Sequence, residues 1–303
     1  MPIKYIHREH LDEEKYNQCI DTSIQSKIYA FSWYLDTVCD QWAVLVLNDY
    51  EAVMPVPWRK KYGFKYVHQP LWVLQLGIFS RIESINEQEF IKKLSSCFKF
   101  IELRFNIENS IQKINSLSSI NEFQYLHLED SYEILLNKFN RNRKRELKKA
   151  IQANLRTLWG DQPEKLIALF EKNIGGRINK ISKEDYRKLK ALIKLIISKG
   201  LGEVLTIYDH EERPVASGFF LFHKHKVTEL VCATDLKNRH NGANTFLIDR
   251  ALFKYQNSFE IFDFGGSSMK SIAKYYKSFG AGTYQYLFLK VNRLPFILRL
   301  FKS

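Results

Sequence analysis

Three side chains in the second half of this 303-residue sequence are of types that move protons, and each falls on a segment able to hold it still: Glu229, Asp263 and Tyr276. Glu229 alternates with Val231 and Ala233 in residues 227–234, whose β-branched and apolar content predicts a strand, so its carboxylate is set on one face. There it either accepts a proton from a nucleophile, directly or through water, or pairs across the sheet in a salt bridge. Asp263 closes a second strand, residues 259–264, at the carboxyl edge where open α/β sheets bind ligands. It positions a nucleophile, acts as base, or fixes the turn ahead of Gly265 and Gly266, glycines that permit close backbone approach. Tyr275 or Tyr276 protonates a leaving group or fills core space. Between the strands, Lys237, Arg239, Gly242 and Ala243 stand where a strand hands over to a helix, whose free N–H groups make an anion site sized for a phosphate.

The elements that carry these residues read as strand, helix, strand, helix. Ala243, Leu247, Ile248, Ala251, Leu252 and Tyr255 recur at helical spacing. In residues 269–279 Met269, Ile272, Ala273 and Tyr276 point inward, with Lys270, Lys274 and Lys277 on another face. A three-stranded meander at 202–208, 213–222 and 227–234 precedes them, after helices at 163–173 and 183–199 split by Gly175 and Gly176. Residues 131–151 read as one helix, in which Tyr132, Leu135, Leu136, Phe139, Leu147 and Ala150 form an apolar stripe and most charges lie opposite. Arg143 falls inside the stripe and needs an anionic partner, which Glu146 can supply locally or a ligand can supply instead. In the first half, residues 9–22 and 86–98 read as helices and 41–47, 51–58, 71–79, 100–106 and 123–128 as strands. Pro55 and Pro57 mark an edge or a bulge, and a basic loop follows at Arg59 to Lys61.

The turn at Arg239 and Gly242 resembles the phosphate-binding turn of the GNAT acetyltransferases, Arg or Gln, two residues, Gly, one residue, Gly or Ala, with Asn244 in the last small position. The segment FDFGG and the later YYKSFGA are similar to the FemAB and BioF2-like branch, through Asp263, Gly265, Gly266, Tyr276, Lys277, Phe279 and Gly280. The resemblance implies an α/β (α+β) fold of two tandem GNAT-like domains, each a mixed, mostly antiparallel sheet flanked by helices. The boundaries expected are an acceptor-side domain at 1–130, a basic linking helix at 131–152 and a donor domain at 153–303. It implies an N-acyltransferase in which Val231, Ala233 and Thr234 grip the donor through their backbone, while Arg239, Asn241, Gly242 and Ala243 hold its pyrophosphate and Lys277 borders it. Glu229, Asp263 and Tyr276 are the catalytic candidates, and Arg59, Arg143, Gly265 and Gly266 contact a small-molecule or peptide amine in the cleft between domains. Acyl-CoA is the expected co-substrate, with no tightly bound cofactor, and aminoacyl-tRNA is the alternative donor. A non-catalytic protein that kept the fold and a basic surface is the rival of another class.

Composition narrows the partners. A formal charge of +13 points to a polyanion or an anionic surface, and 45% hydrophobic residues supply packed cores. Cys19, Cys39, Cys97 and Cys232 are scattered, without metal-binding spacing, and read as reduced core thiols. No signal peptide or 18-residue apolar window is present, which predicts a cytoplasmic chain without a transmembrane segment. Walker A, G-x-G-x-x-G, H-E-x-x-H and G-x-S-x-G patterns are absent, and neither DNA nor a metal is an expected partner.

Overall fold

Alternation of apolar residues brings the first part of the chain together as a sheet: β1 (Ile3–His7) lies antiparallel to β2 (Gln41–Leu47), which forms a hairpin with β3 (Ala52–Lys61). The computed structural model describes residues 2–61, 63–109, 118–128, 131–175, 181–265 and 269–295. They divide into two units, Met1–Asn121 with Gln285–Ser303, and Glu122–Tyr284. Residues 131–152, expected to link two domains, thus belong with the second unit, and residues from 285 onward belong with the first.

In the first unit, α1 (Glu13–Thr22) is capped by Asp12, whose carboxylate accepts the Lys15 N–H at 3.1 Å. With α2 (Ser32–Val38) it covers the hairpin, and Tyr16 and Tyr34 on these helices are fully buried. β4 (Phe64–His68) pairs with Trp58–Lys61 of β3, so Arg59 to Lys61 form a strand rather than the basic loop expected. Pro55 and Pro57 are paired only toward β2, because β4 and β5 (Phe79–Ser80) take the two ends of β3 and leave its middle. That arrangement tolerates residues without an N–H. The strand expected over 71–79 shrinks to β5, since Gly77 takes φ +123° and turns the chain just before it. After α3 (Glu87–Cys97), β6 (Phe100–Arg104) runs parallel to β4.

β7 (Ser118–His127) carries the chain into the second unit. The single helix expected over 131–151 is two, α4 (Tyr132–Lys138) and α5 (Arg141–Gln152). Phe139 leaves helical geometry with ψ 133° to pack edge-on against Phe279, and Asn140 caps α5 by accepting the Arg143 N–H at 3.0 Å. Asn competes poorly inside a helix and well at its head, so the break falls there. β8 (Arg156–Trp159), α6 (Pro163–Phe170) and α7 (Lys183–Ser198) follow, then β9 (Gly202–Tyr208), β10 (Pro214–His223) and β11 (Lys226–Thr234) as an antiparallel meander. Helix α8 (Ala243–Tyr255) crosses to β12 (Ile261–Asp263), which lies parallel to β11 and antiparallel to β7. On α9 (Lys270–Lys277) Ala273 and Tyr276 are buried, but Met269, expected to point inward, is 59% exposed because the helix begins only after it. Of the thiols read as core, Cys19 is buried and Cys97 is exposed at the end of α3. β13 (Gly282–Asn292) returns to the first unit, where Phe288–Asn292 pair antiparallel with β6. Each unit is therefore a mixed, mostly antiparallel sheet with helices on it. No helix among the described residues is long and apolar enough to cross a membrane.

Candidate active site

β11 is paired on both sides at its start and on one side afterwards. Its parallel ladder with β12 covers Lys226, Thr228 and the residue between, opposite Ile261, Asp263 and Phe262, and Glu229 is the first residue past it. Among the described residues, Glu229 to Thr234 pair only with β10, so the β12 side of this stretch presents free backbone groups. The β10 register also slips at this point: Phe219 faces Val231 and Phe220 faces Glu229, leaving Leu230 as the extra residue of a bulge. A bulge interrupts simple alternation, so Glu229 does not inherit its environment from Val231 and Ala233, as period-2 counting implies.

Glu229 is 2% exposed, and no N–H or O–H donor among the described residues reaches either carboxylate oxygen. Burial pushes its carboxyl up from 4.5 to about 7, and the thiol of Cys232, a weak donor beside it, draws it back a little. Burial likewise raises the Cys232 thiol well above its ordinary value, with the Glu229 charge adding to it, while the Tyr276 phenol contacts the sulfur. Tyr276 is itself driven up by burial first and then by the charges of Glu229, Cys232 and, further off, Asp263. Carboxyl, thiol and phenol thus form one relay, buried at Glu229 and Tyr276 and half-buried at Cys232. Its members hold their protons at neutral pH except Glu229, which stands near half-ionisation.

Asp263 ends β12 opposite Thr228, one position before Glu229 on the neighbouring strand, and is 8% exposed. Its Oδ1 accepts the Gly265 N–H at 2.9 Å, and Gly265 takes φ +74°, so one oxygen fixes the turn after the strand. Gly266 lies outside the described residues.

A second polar cluster joins α5, the first turn of α8 and α9. Arg143 donates from Nη1 to Thr245 Oγ1 at 2.8 Å and from Nη2 to Glu146 Oε1 at 3.0 Å, while Thr245 donates to Glu146 Oε2 at 2.5 Å. The guanidinium lies 4.5 Å from the centre of the Tyr275 ring, and Asn244 Nδ2 donates to the Tyr275 hydroxyl at 2.8 Å. Arg143, expected as a substrate contact, is therefore occupied by Glu146, the local partner also foreseen for it. Tyr275 links the two clusters, its ring centre lying 5.8 Å from that of Tyr276.

Gly242 begins α8 with φ +80°, and a Cβ placed on it would meet the Glu146 carbonyl oxygen of α5 at 2.2 Å. The glycine is thus required by the close approach of a helix. A phosphate on that side of the turn would have to displace α5. Asn241 Oδ1 accepts the Ala243 N–H at 3.0 Å and satisfies one of the orphan donors of the helix start. The backbone of Arg239 lies in a short 3-10 turn, residues 236–241, ahead of α8. Lys277 points away from the relay, toward Glu122 at 3.6 Å. Arg59 lies in the first unit, paired with Asp40 at 2.6 Å. Val231 and Ala233 are buried on β11, and Thr234 is half-buried at its end.

The second unit thus brings together Glu229, Asp263, Tyr276 and the free stretch of β11, and does not bring in Lys277. Cys232 and Thr245 were not singled out in the sequence. Neither had a signal: regular alternation puts Cys232, three residues after Glu229, on the opposite face of the strand.

No protein-family model and no curated protein matches the chain by sequence. Solved structures do match by shape. FemX superposes with a TM-score of 0.64 at 10% identity, over 99% of this chain and 100% of that one. The C-terminal domain of a putative lysylphosphatidylglycerol synthetase from Agrobacterium fabrum gives 0.55 at 10% identity over 95% and 94%. A tandem GNAT protein from the clavulanic acid biosynthesis pathway gives 0.54 at 8% identity over 97% and 99%. The chain has the fold of the tandem GNAT protein.

Proposed function

From a chain with this fold we propose an acyltransferase that moves an aminoacyl group from an activated ester to an amine. The observation that carries the reading is Glu229, a buried carboxyl without an N–H or O–H donor, near half-ionisation at neutral pH, at the point where β11 and β12 part. The amine nitrogen attacks the ester carbonyl, a C–N bond forms and the C–O bond to the carrier breaks. Glu229 takes the proton the nitrogen sheds, and the relay through Cys232 and Tyr276 returns a proton to the leaving oxygen. Free backbone groups of β11 from Val231 to Thr234 hold the donor's acyl portion, and preorganised N–H groups there suit the developing oxyanion. Asp263 keeps the end of β12 in place beside the base.

Gly242 supports one donor class over the other. The compact turn expected to hold the pyrophosphate of acyl-CoA abuts α5 at Gly242, with the Glu146 carboxylate at Thr245 in the first turn of α8. This arrangement favours aminoacyl-tRNA, whose ester is presented without a pyrophosphate in that turn, and with it a cytoplasmic setting. The acceptor class is a small-molecule or peptide amine. The test is transfer from radiolabelled aminoacyl-tRNA, and separately from acetyl-CoA, to a panel of primary amines, with wild type and Glu229→Gln. Transfer from aminoacyl-tRNA that falls about 10²- to 10⁴-fold in the variant is expected. Transfer from acetyl-CoA alone overturns the donor class, and an unchanged Glu229→Gln rate overturns the base.

A further inference from the structure

Helix α5 spends its two faces differently. Arg143, Glu146, Leu147 and Ala150 turn inward, into the α8 cluster and the core. Arg141, Lys144, Arg145, Lys148 and Lys149 recur at i, i+3, i+4, i+7 and i+8, a single stripe about 12 Å long on the other side. Among the described residues none of these five cations meets a carboxylate: Lys144 reaches the Asn137 carbonyl and Arg145 the Asn142 side chain, at 3.2 and 3.4 Å.

The first three cations of the stripe also stand at the unfavourable end of the helix. Helix α5 has no acidic residue in its first turn, and it places Arg141, Lys144 and Arg145 near the positive pole of the macrodipole. Helices α1, α3 and α7 follow the favourable rule, with Glu13 and Glu14, Glu87 and Glu89, and Glu184 and Asp185 in their first turns. Five uncompensated cations on two turns repel one another, and the first three also oppose the dipole, so they weaken the isolated helix. Folding does not account for them, whereas a polyanion that neutralises the stripe does.

We propose that the outer face of α5 is a docking surface for the sugar-phosphate backbone of RNA. An anionic membrane is the competing polyanion, but a membrane-surface helix inserts an apolar face, and the apolar face of α5 is already committed to the core, with Ile151 alone exposed beside the stripe. RNA is read through phosphates and shape by such a rigid cationic rod. The inference rests on the donor reading above only in the choice of RNA as the class.

The experiment is fluorescence polarisation of a labelled RNA hairpin and of uncharged tRNA, with wild type and the variant R141Q/R145Q/K148Q/K149Q, circular dichroism confirming that both are folded. An interface neutralising about four phosphates loses affinity about 50- to 150-fold between 50 and 200 mM salt. Wild type should show that loss, and the variant should bind at least tenfold more weakly with a flatter salt dependence. Equal binding by both proteins overturns the assignment of α5 and leaves the donor reading standing. RNA binding lost in the variant, in a protein that transfers only from acetyl-CoA, keeps the surface and overturns the donor reading. No RNA binding, together with salt-sensitive binding to vesicles containing phosphatidylglycerol that the variant loses, assigns the face to a membrane and overturns the proposal.

Discussion

Replacing Glu229 by Gln distinguishes a buried carboxyl that titrates near neutrality from one that only fills space. In the folded chain burial raises this group from 4.5 to about 7, and in the unfolded chain it returns to its ordinary value. Below 4.5 it is neutral in both states. Between 4.5 and 7 the unfolded chain ionises while the folded chain stays protonated, so stability falls as pH rises, and above 7 the whole penalty stands. A tenfold change in an ionisation constant is worth about 1.4 kcal/mol, which makes the penalty about 3 kcal/mol. Gln carries no such dependence; its unpaired amide costs about 1 to 3 kcal/mol at every pH, so the test lies in the slope. Between pH 5 and pH 8.5 the wild type should lose about 2 to 3 kcal/mol relative to Glu229→Gln. That corresponds to about 3 to 5 °C in Tm. Urea titrations followed by tryptophan fluorescence across this range measure it. A difference between the two proteins that stays constant with pH refutes the raised carboxyl and removes the reason for choosing Glu229 as the base.

Three further outcomes are expected. Gly242→Ala should cost about 1 to 3 kcal/mol more than Gly63→Ala in denaturant titrations, because both glycines have φ near +80° but only the former meets a backbone carbonyl. Arg143→Lys should cost about 1.5 to 3 kcal/mol by the same assay, since an ammonium cannot bridge Glu146 and Thr245 while lying on the Tyr275 ring. With a thiol-alkylating reagent at pH 8, mass spectrometry should find Cys97 modified well before Cys232, whose thiol burial keeps protonated.

Much of the second unit was legible because its signals are local. The strands 202–208 and 227–234 and the helix from Ala243 to Tyr255 match β9, β11 and α8, since alternation and helical spacing act within a few residues. Glu146 as the partner of Arg143 was readable for the same reason. What stayed hidden was tertiary. Gly242 reads as a phosphate turn from its neighbours, while the need for it comes from the Glu146 carbonyl on another helix. The bulge at Leu230 depends on how β10 is laid against β11, and with it goes the contact between Glu229 and Cys232. The α4–α5 break had a local sign in Asn140, overridden by an apolar stripe that continued through it.

The first unit is made of two separate stretches of chain, and this bears on how the protein is born. β6 leaves the ribosome with β4 already available to it, but its other partner, β13, lies beyond the whole second unit. At about 5 to 20 residues per second, roughly 10 to 40 seconds pass before that partner is synthesised. By the end of this interval Glu122–Tyr284 has been made as one uninterrupted piece, so the unit begun second is the first to have all its residues. Meanwhile β6 carries an open edge of the kind that recruits strands from other chains. Nascent protein stalled in that window is where a chaperone has most to protect.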